Sequence, residues 1–196
     1  LGLRHNFRSS RVYNELQLSD REFTAARGLA GSVMEYAPIN LPRPGERGGT
    51  PFQTALGPYD YWAIEYAYKT FPPGTTPQQA REELLRIAAR SGEPDLAYGT
   101  DEDNFLGIDP ETLHFDLGDD PVAFAAKRIE IARDVIARQE TRVLKPEADY
   151  SVLRRSVNYA VRDAGRAAGI LARQIGGIRT LRDFPGSGRD PLVPVD

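Results

Sequence analysis

Two histidines, His5 and His114, a single methionine, Met34, and no cysteine bound the site chemistry open to this 196-residue chain. Without cysteine there is no disulfide, no zinc–thiolate centre and no thiol nucleophile. A metal would have to be held by His, Asp, Glu or water, and two histidines cannot complete a three-histidine site within the chain. His5 stands in Leu1-Gly2-Leu3-Arg4-His5, three positions after a glycine. His114 has no second ligand at helical or loop spacing and is read as structural. Asp101, Asp103 and Asp109 offer hard oxygens for calcium. Their segment lacks the glycine at the sixth place and the glutamate at the twelfth that an EF-hand loop needs, so it is read as a solvated acidic loop. Tyr59, Tyr61, Trp62, Tyr66 and Tyr68 are of a type that lines substrate grooves, but aromatic residues at this spacing are read as core.

Leu1 to His5 fits the second half of the zinc-protease pattern H-E-x-x-H-x-x-G-x-x-H, with Gly2 as the motif glycine and His5 as the last histidine. In that pattern the first two histidines lie one helical turn apart with the glutamate between them as base. The glycine then lets the chain turn sharply, so that a third imidazole reaches the metal. The alignment starts the chain inside the motif, and the expectation is that H-E-x-x-H precedes Leu1. Gly31-Ser32-Val33-Met34-Glu35-Tyr36 resembles the Met-turn that packs under the metal in metzincins. With G-L-R-H-N-F at 2–7, S-V-M-E-Y-A-P at 32–38 and G-P-Y-D-Y-W-A-I-E-Y at 57–66, the chain resembles the bacterial zinc-dependent metalloproteases grouped as Met-zincins. The resemblance covers nearly the whole chain.

That resemblance implies a zinc endopeptidase acting on peptides or proteins. His5 is implied as the third metal ligand, Gly2 as the motif turn, and Ser32 and Met34 as Met-turn residues. Tyr36 is implied as an oxyanion or zinc contact, and Glu35 is given no catalytic role. The implied partner is the missing N-terminal part of the same protein. The implied location is outside the cytoplasm, secreted or periplasmic. Lacking the first two histidines and the glutamate, the piece by itself is expected to be inactive. The competing readings are a non-catalytic helical interaction or scaffold module, in which the motif matches are coincidental, and a pseudo-protease.

The elements that must position these residues read as mainly α. A loop-rich Met-turn segment (residues 1–56) is followed by a helical C-terminal subdomain (57–196) with a long antiparallel helix pair. Residues 1–39 carry turn signals, and N-L-P-R-P-G-E-R-G-G-T-P reads as an exposed loop. A short helix follows Gly57-Pro58, with Tyr61, Ile64, Glu65 and Tyr68 at helical spacing on its expected buried face. Thr76-Pro77 is a helix start, with Leu84, Ile87 and Ala88 as the inner stripe to about Arg90. The stretch from Glu93 to Asp120 shows no sustained period and reads as irregular. Asp120-Pro121 opens a long helix with Ala125, Ile129, Ala132 and Ile136 inward, ending near Val143. A second long helix from about Asp149 or Ser151 carries the stripe Leu153, Val157, Val161, Ala164, Ala168, Leu171, Ile175. Its small residues Ala160, Ala164, Gly165, Ala168 and Gly169 would admit a close helix neighbour. The tail after Leu181 reads as loop and extended chain.

Composition narrows the partners. Twenty-five basic and 28 acidic residues, well interspersed, give a formal charge of −3 and no basic stripe for nucleic acid. No apolar run approaches the length of a membrane span.

Overall fold

The computed structural model describes residues 2–182, 186–188, 190 and 192–195. The chain is mainly helical, with a single two-stranded ribbon among the described residues. The segment expected to be turns contains two short helices, α1 (Glu15–Ser19) and α2 (Arg21–Arg27). Their caps explain them. Asn14 and Gln17 exchange side chain-to-backbone hydrogen bonds of 2.9 Å, and Asp20 accepts from the N–H groups of Glu22 and Phe23 at 2.8 and 3.1 Å. Leu18 of α1 joins Tyr13, Leu29 and Leu117 in a first buried cluster.

Helix α3 (Pro58–Tyr68) forms where expected, but it turns the other way. Its buried residues are Tyr59, Asp60 and Ala63, whereas Tyr61, Ile64 and Tyr68 are exposed. Aromatic residues lie all round this helix, so periodicity alone picks no face. The face is decided by Asp60, which docks onto the turn at Ser32 and Val33, and by Tyr59, whose ring stacks on Tyr98 with centroids 5.8 Å apart. Trp62 is half-buried and donates its indole N–H to the Ile87 carbonyl at 2.7 Å, which fixes α3 against α4 (Pro77–Ala88). In α4 the expected Thr76 cap and the buried Ile87 are both present.

The stretch after Glu93 is less irregular than its sequence suggests. It holds a 3-10 turn (Pro94–Leu96) and helix α5 (Asp101–Phe105). Next come the two long helices, α6 (Pro121–Glu140) and α7 (Ser151–Ala172). They run antiparallel. Arg128 in the first half of α6 meets Asp163 in the second half of α7, and Arg142 just past α6 reaches Ser156 near the start of α7. Ala125, Ala167 and Ile170 join Leu113 in a second buried cluster, and Phe124 packs against both clusters.

The buried face of α7 is Ala160, Asp163, Ala167 and Ile170, rotated from the expected apolar stripe, and Val161, Ala168 and Ile175 face outward. The rotation follows from charge. Arg128, buried on α6, donates to the Asp163 carboxylate at 2.7 Å and to the Ile39 carbonyl at 3.0 Å, and this pairing requires Asp163 on the inside. On α6 itself Ala125 and Ala132 are buried as expected, whereas Ile136 is exposed. Gly165 and Gly169 face open space rather than a close neighbour.

Beyond α7 the antiparallel strands β1 (Ile178–Thr180) and β2 (Leu192–Pro194) pair Arg179 with Val193. Of the tail read as loop and extended chain, residues 183–185, 189, 191 and 196 lie outside the described residues. No helix among the described residues is long and apolar enough to cross a membrane.

Candidate functional site

Gly2 adopts φ +76°, a left-handed conformation that L side chains rarely take, which suits a sharp turn into the segment that carries His5. From there the chain is gripped on both sides of the imidazole. Arg4 pairs bidentately with Glu102, its Nη2 lying 2.8 and 2.7 Å from the two carboxylate oxygens. Asn6, fully buried, donates its backbone N–H to the Met34 carbonyl at 3.1 Å and its side-chain amide to the Ala97 carbonyl at 3.1 Å. Its own Oδ1 accepts from Gly99 N–H at 3.2 Å. Phe7 continues the ladder, donating to the Gly99 carbonyl at 2.7 Å and accepting from Leu113 N–H at 3.0 Å.

The His5 side chain, about a third exposed, places Nδ1 2.9 and 3.2 Å from the two oxygens of Asp101. That contact holds the Asp101 carboxyl below its usual range. The ring packs against Tyr36 and Phe7, with centroids 4.5 and 5.1 Å away. Tyr36 in turn stacks on Phe115 at 5.9 Å.

Ser32, Met34 and Tyr36 come from one turn, and its shape is set from below. Ser32 Oγ donates to Asp60 Oδ1 at 2.6 Å and accepts from Met34 N–H at 3.0 Å. Asp60 Oδ2 accepts from Val33 N–H at 3.0 Å and from Gly57 N–H at 2.8 Å. One carboxylate at the start of α3 therefore caps that helix and holds the turn at residues 32–34 together. Gly57 is required here for space, because a Cβ would stand 2.0 Å from the Gly31 carbonyl oxygen.

Glu35 points inward, away from any solvent-facing role. It accepts from Ser10 N–H at 3.1 Å, Ser9 Oγ at 3.3 Å and Tyr36 N–H at 2.9 Å. Burial pushes its pKa well up, with the Asp116 charge adding to the effect. Asp116, fully buried, is pushed up to about 7 by burial, offset by the Ser10 hydroxyl and Arg11. His114 sits among Phe7, Phe105 and Phe115 with Nδ1 2.7 Å from the Asn104 amide, and burial lowers its pKa.

The structure thus brings His5, Met34 and Tyr36 together, with Ser32 beneath them and Gly2 three residues away along the chain. As a donor set for zinc the site is partial. With Nδ1 engaged by Asp101, Nε2 is the nitrogen left to His5 for a metal, which suits one ligand of a tetrahedral centre. Among the described residues no group of three or more His, Asp or Glu side chains could hold a metal. The sequence placed Asp101 in a solvated acidic loop rather than beside His5, and it gave Asn6 and Asp60 no role. For two of them a signal existed. Asp60 is the acid at the third position of a Pro-started helix. Thr100-x-x-Asp103 is a helix-start pattern, and Asp103 accepts from Thr100 N–H at 2.9 Å, which fixes Asp101 as the first residue of α5.

A family model described as Met-zincin matches residues 1–196. No curated protein and no solved structure matches the chain.

Proposed function

Because the chain belongs to the Met-zincin family, we propose that it forms the part of a zinc endopeptidase that carries the third histidine ligand and the Met-turn. The observation that carries this reading is the His5 imidazole, held at Nδ1, packed on Tyr36 and joined to the Met34 carbonyl through the next residue. In this reading His5 Nε2 binds zinc, and the H-E-x-x-H half of the motif is supplied by sequence ahead of Gly2. Zinc, when bound, supplies a Lewis acid that lowers the pKa of its water to near neutrality. The residues of this chain contribute geometry. Met34 underlies the ligands as an apolar, adaptable floor. Tyr36 packs against the imidazole, and its hydroxyl donates to the oxyanion that develops on the substrate carbonyl. The general base is the motif glutamate, so residues 1–196 alone bind zinc weakly and cleave nothing.

The test compares residues 1–196 with a protein extended to include H-E-x-x-H. The extended protein should bind zinc stoichiometrically and hydrolyse a peptide library, with both properties lost in His5→Ala. Zinc binding without turnover would assign a pseudo-protease, and neither property would leave a helical interaction module. From the same resemblance we propose export from the cytoplasm, which cell fractionation with an antibody to this chain would check.

A further inference from the structure

We propose that Asp101 is a positioning residue for the metal: its carboxylate holds the proton of His5 on Nδ1 and thereby presents Nε2 as the ligand nitrogen. This rests on the reading of His5 as a zinc ligand and goes beyond it, because Asp101 itself touches neither metal nor substrate.

An ionised carboxylate only accepts hydrogen bonds, so a neutral imidazole facing it must carry its proton on the facing nitrogen. Both Asp101 oxygens face Nδ1, at 2.9 and 3.2 Å, so the contact specifies the Nδ1–H tautomer. The lone pair then resides on Nε2, the form that a divalent metal needs. A carboxylate behind a metal-binding imidazole fixes both tautomer and ring direction, and its loss typically weakens metal binding by roughly 10–100-fold.

The surroundings distinguish this contact from an ordinary surface ion pair. Asp101 is the first residue of α5, and Thr100 Oγ1 donates to its Oδ2 at 3.3 Å. The neighbouring residues are locked together as well, because Glu102 of the same helix grips Arg4, the residue just before His5. On the other side Asn6 is tied to the Met-turn and to residues 97 and 99. The ring itself is flanked by Tyr36 and Phe7. Backbone and ring are thus both restrained, so the carboxylate acts on an imidazole that has little freedom to turn away. The run Asp101-Glu102-Asp103, read from sequence as a solvated loop, serves as a clamp. Its first two carboxylates hold the His5 segment, and the third pairs with Arg182 at 2.7 Å.

The experiment uses the full protein carrying the complete histidine motif. Nitrogen-15 shifts of the His5 ring, measured with the metal removed, report the tautomer directly. Chelator competition reports zinc affinity. The wild type should show the Nδ1–H form, and Asp101→Ala should lose that signature and bind zinc roughly 10–100-fold more weakly. A wild-type ring protonated on Nε2 would overturn the proposal whether or not any variant folds. So would an Asp101→Ala protein whose zinc affinity stays within about twofold of wild type while His5→Ala abolishes tight binding; that pattern leaves His5 as a ligand and removes Asp101 alone. If His5→Ala leaves zinc affinity unchanged, the reading of the site itself fails, and the Asp101 role with it.

Discussion

Replacing Asp60 with alanine removes three hydrogen bonds that one buried carboxylate accepts, from Ser32 Oγ at 2.6 Å, Gly57 N–H at 2.8 Å and Val33 N–H at 3.0 Å. A hydrogen bond to a charged group contributes about 1.5–3 kcal/mol net. Full additivity would therefore give roughly 5–9 kcal/mol. The three bonds share one acceptor group, however, and the Val33 side chain is half-exposed, so water can recover part of the loss at its amide. An expected destabilisation of about 3–5 kcal/mol follows. Ser32→Ala, which loses the bond to Asp60 and the one from Met34 N–H, should cost roughly 2–4 kcal/mol. The Ser32–Asp60 bond is counted in both single variants, so the double variant should fall short of their sum by about 1.5–3 kcal/mol. Equilibrium urea denaturation of the four proteins, with m-values checked for constancy, reads all of these quantities. A cost below about 1 kcal/mol for Asp60→Ala, or two single costs that simply add, would refute the reasoning that one carboxylate organises both the α3 terminus and the Met-turn.

Two further outcomes are expected. Asp116, raised by burial to about 7, keeps a proton in the folded chain that the unfolded chain releases near its ordinary value of about 4. The stability this confers is full below pH 4 and is lost as pH rises through about 7. Relative to Asp116→Asn, which does not titrate, the wild type should therefore lose on the order of 2–4 kcal/mol between pH 4 and 8, read from urea midpoints, and a pH-independent difference would contradict the assignment. Gly165→Ala and Gly169→Ala, in the interior of α7 with open space where a Cβ would stand, should each stabilise by about 0.5–1 kcal/mol. Thermal unfolding would show this as a rise of roughly 1–4 °C per variant, and a fall would mean that another surface packs on that face.

Local chemistry was legible in the linear sequence. The resemblance singled out Gly2, His5 and the turn at Met34 because a short motif places strict demands on a few adjacent positions, and the structure brings His5, Met34 and Tyr36 together. The helix at Thr76-Pro77 and the one at Asp120-Pro121 were legible for the same reason, since a cap is a contact between residues three apart. The expected antiparallel pair also formed, as two long amphipathic helices joined by a short connection have few other ways to bury their apolar faces.

What needed the tertiary structure were the contacts that join distant residues. Asp101 lies 96 residues from His5 in sequence, Asp60 28 from Ser32, and Arg128 35 from Asp163. At Asp163 a charge sits where the apolar stripe would leave it in solvent, and only its partner in space makes that position favourable. The same contacts turn α3 and α7 away from the faces that hydrophobic patterning suggested. Sequence alone thus pointed to His5 and to the turn at Met34. Which carboxylate stands behind that imidazole, and which one holds the turn, was decided by folding, because a hydrogen bond between remote side chains leaves no periodic trace along the chain.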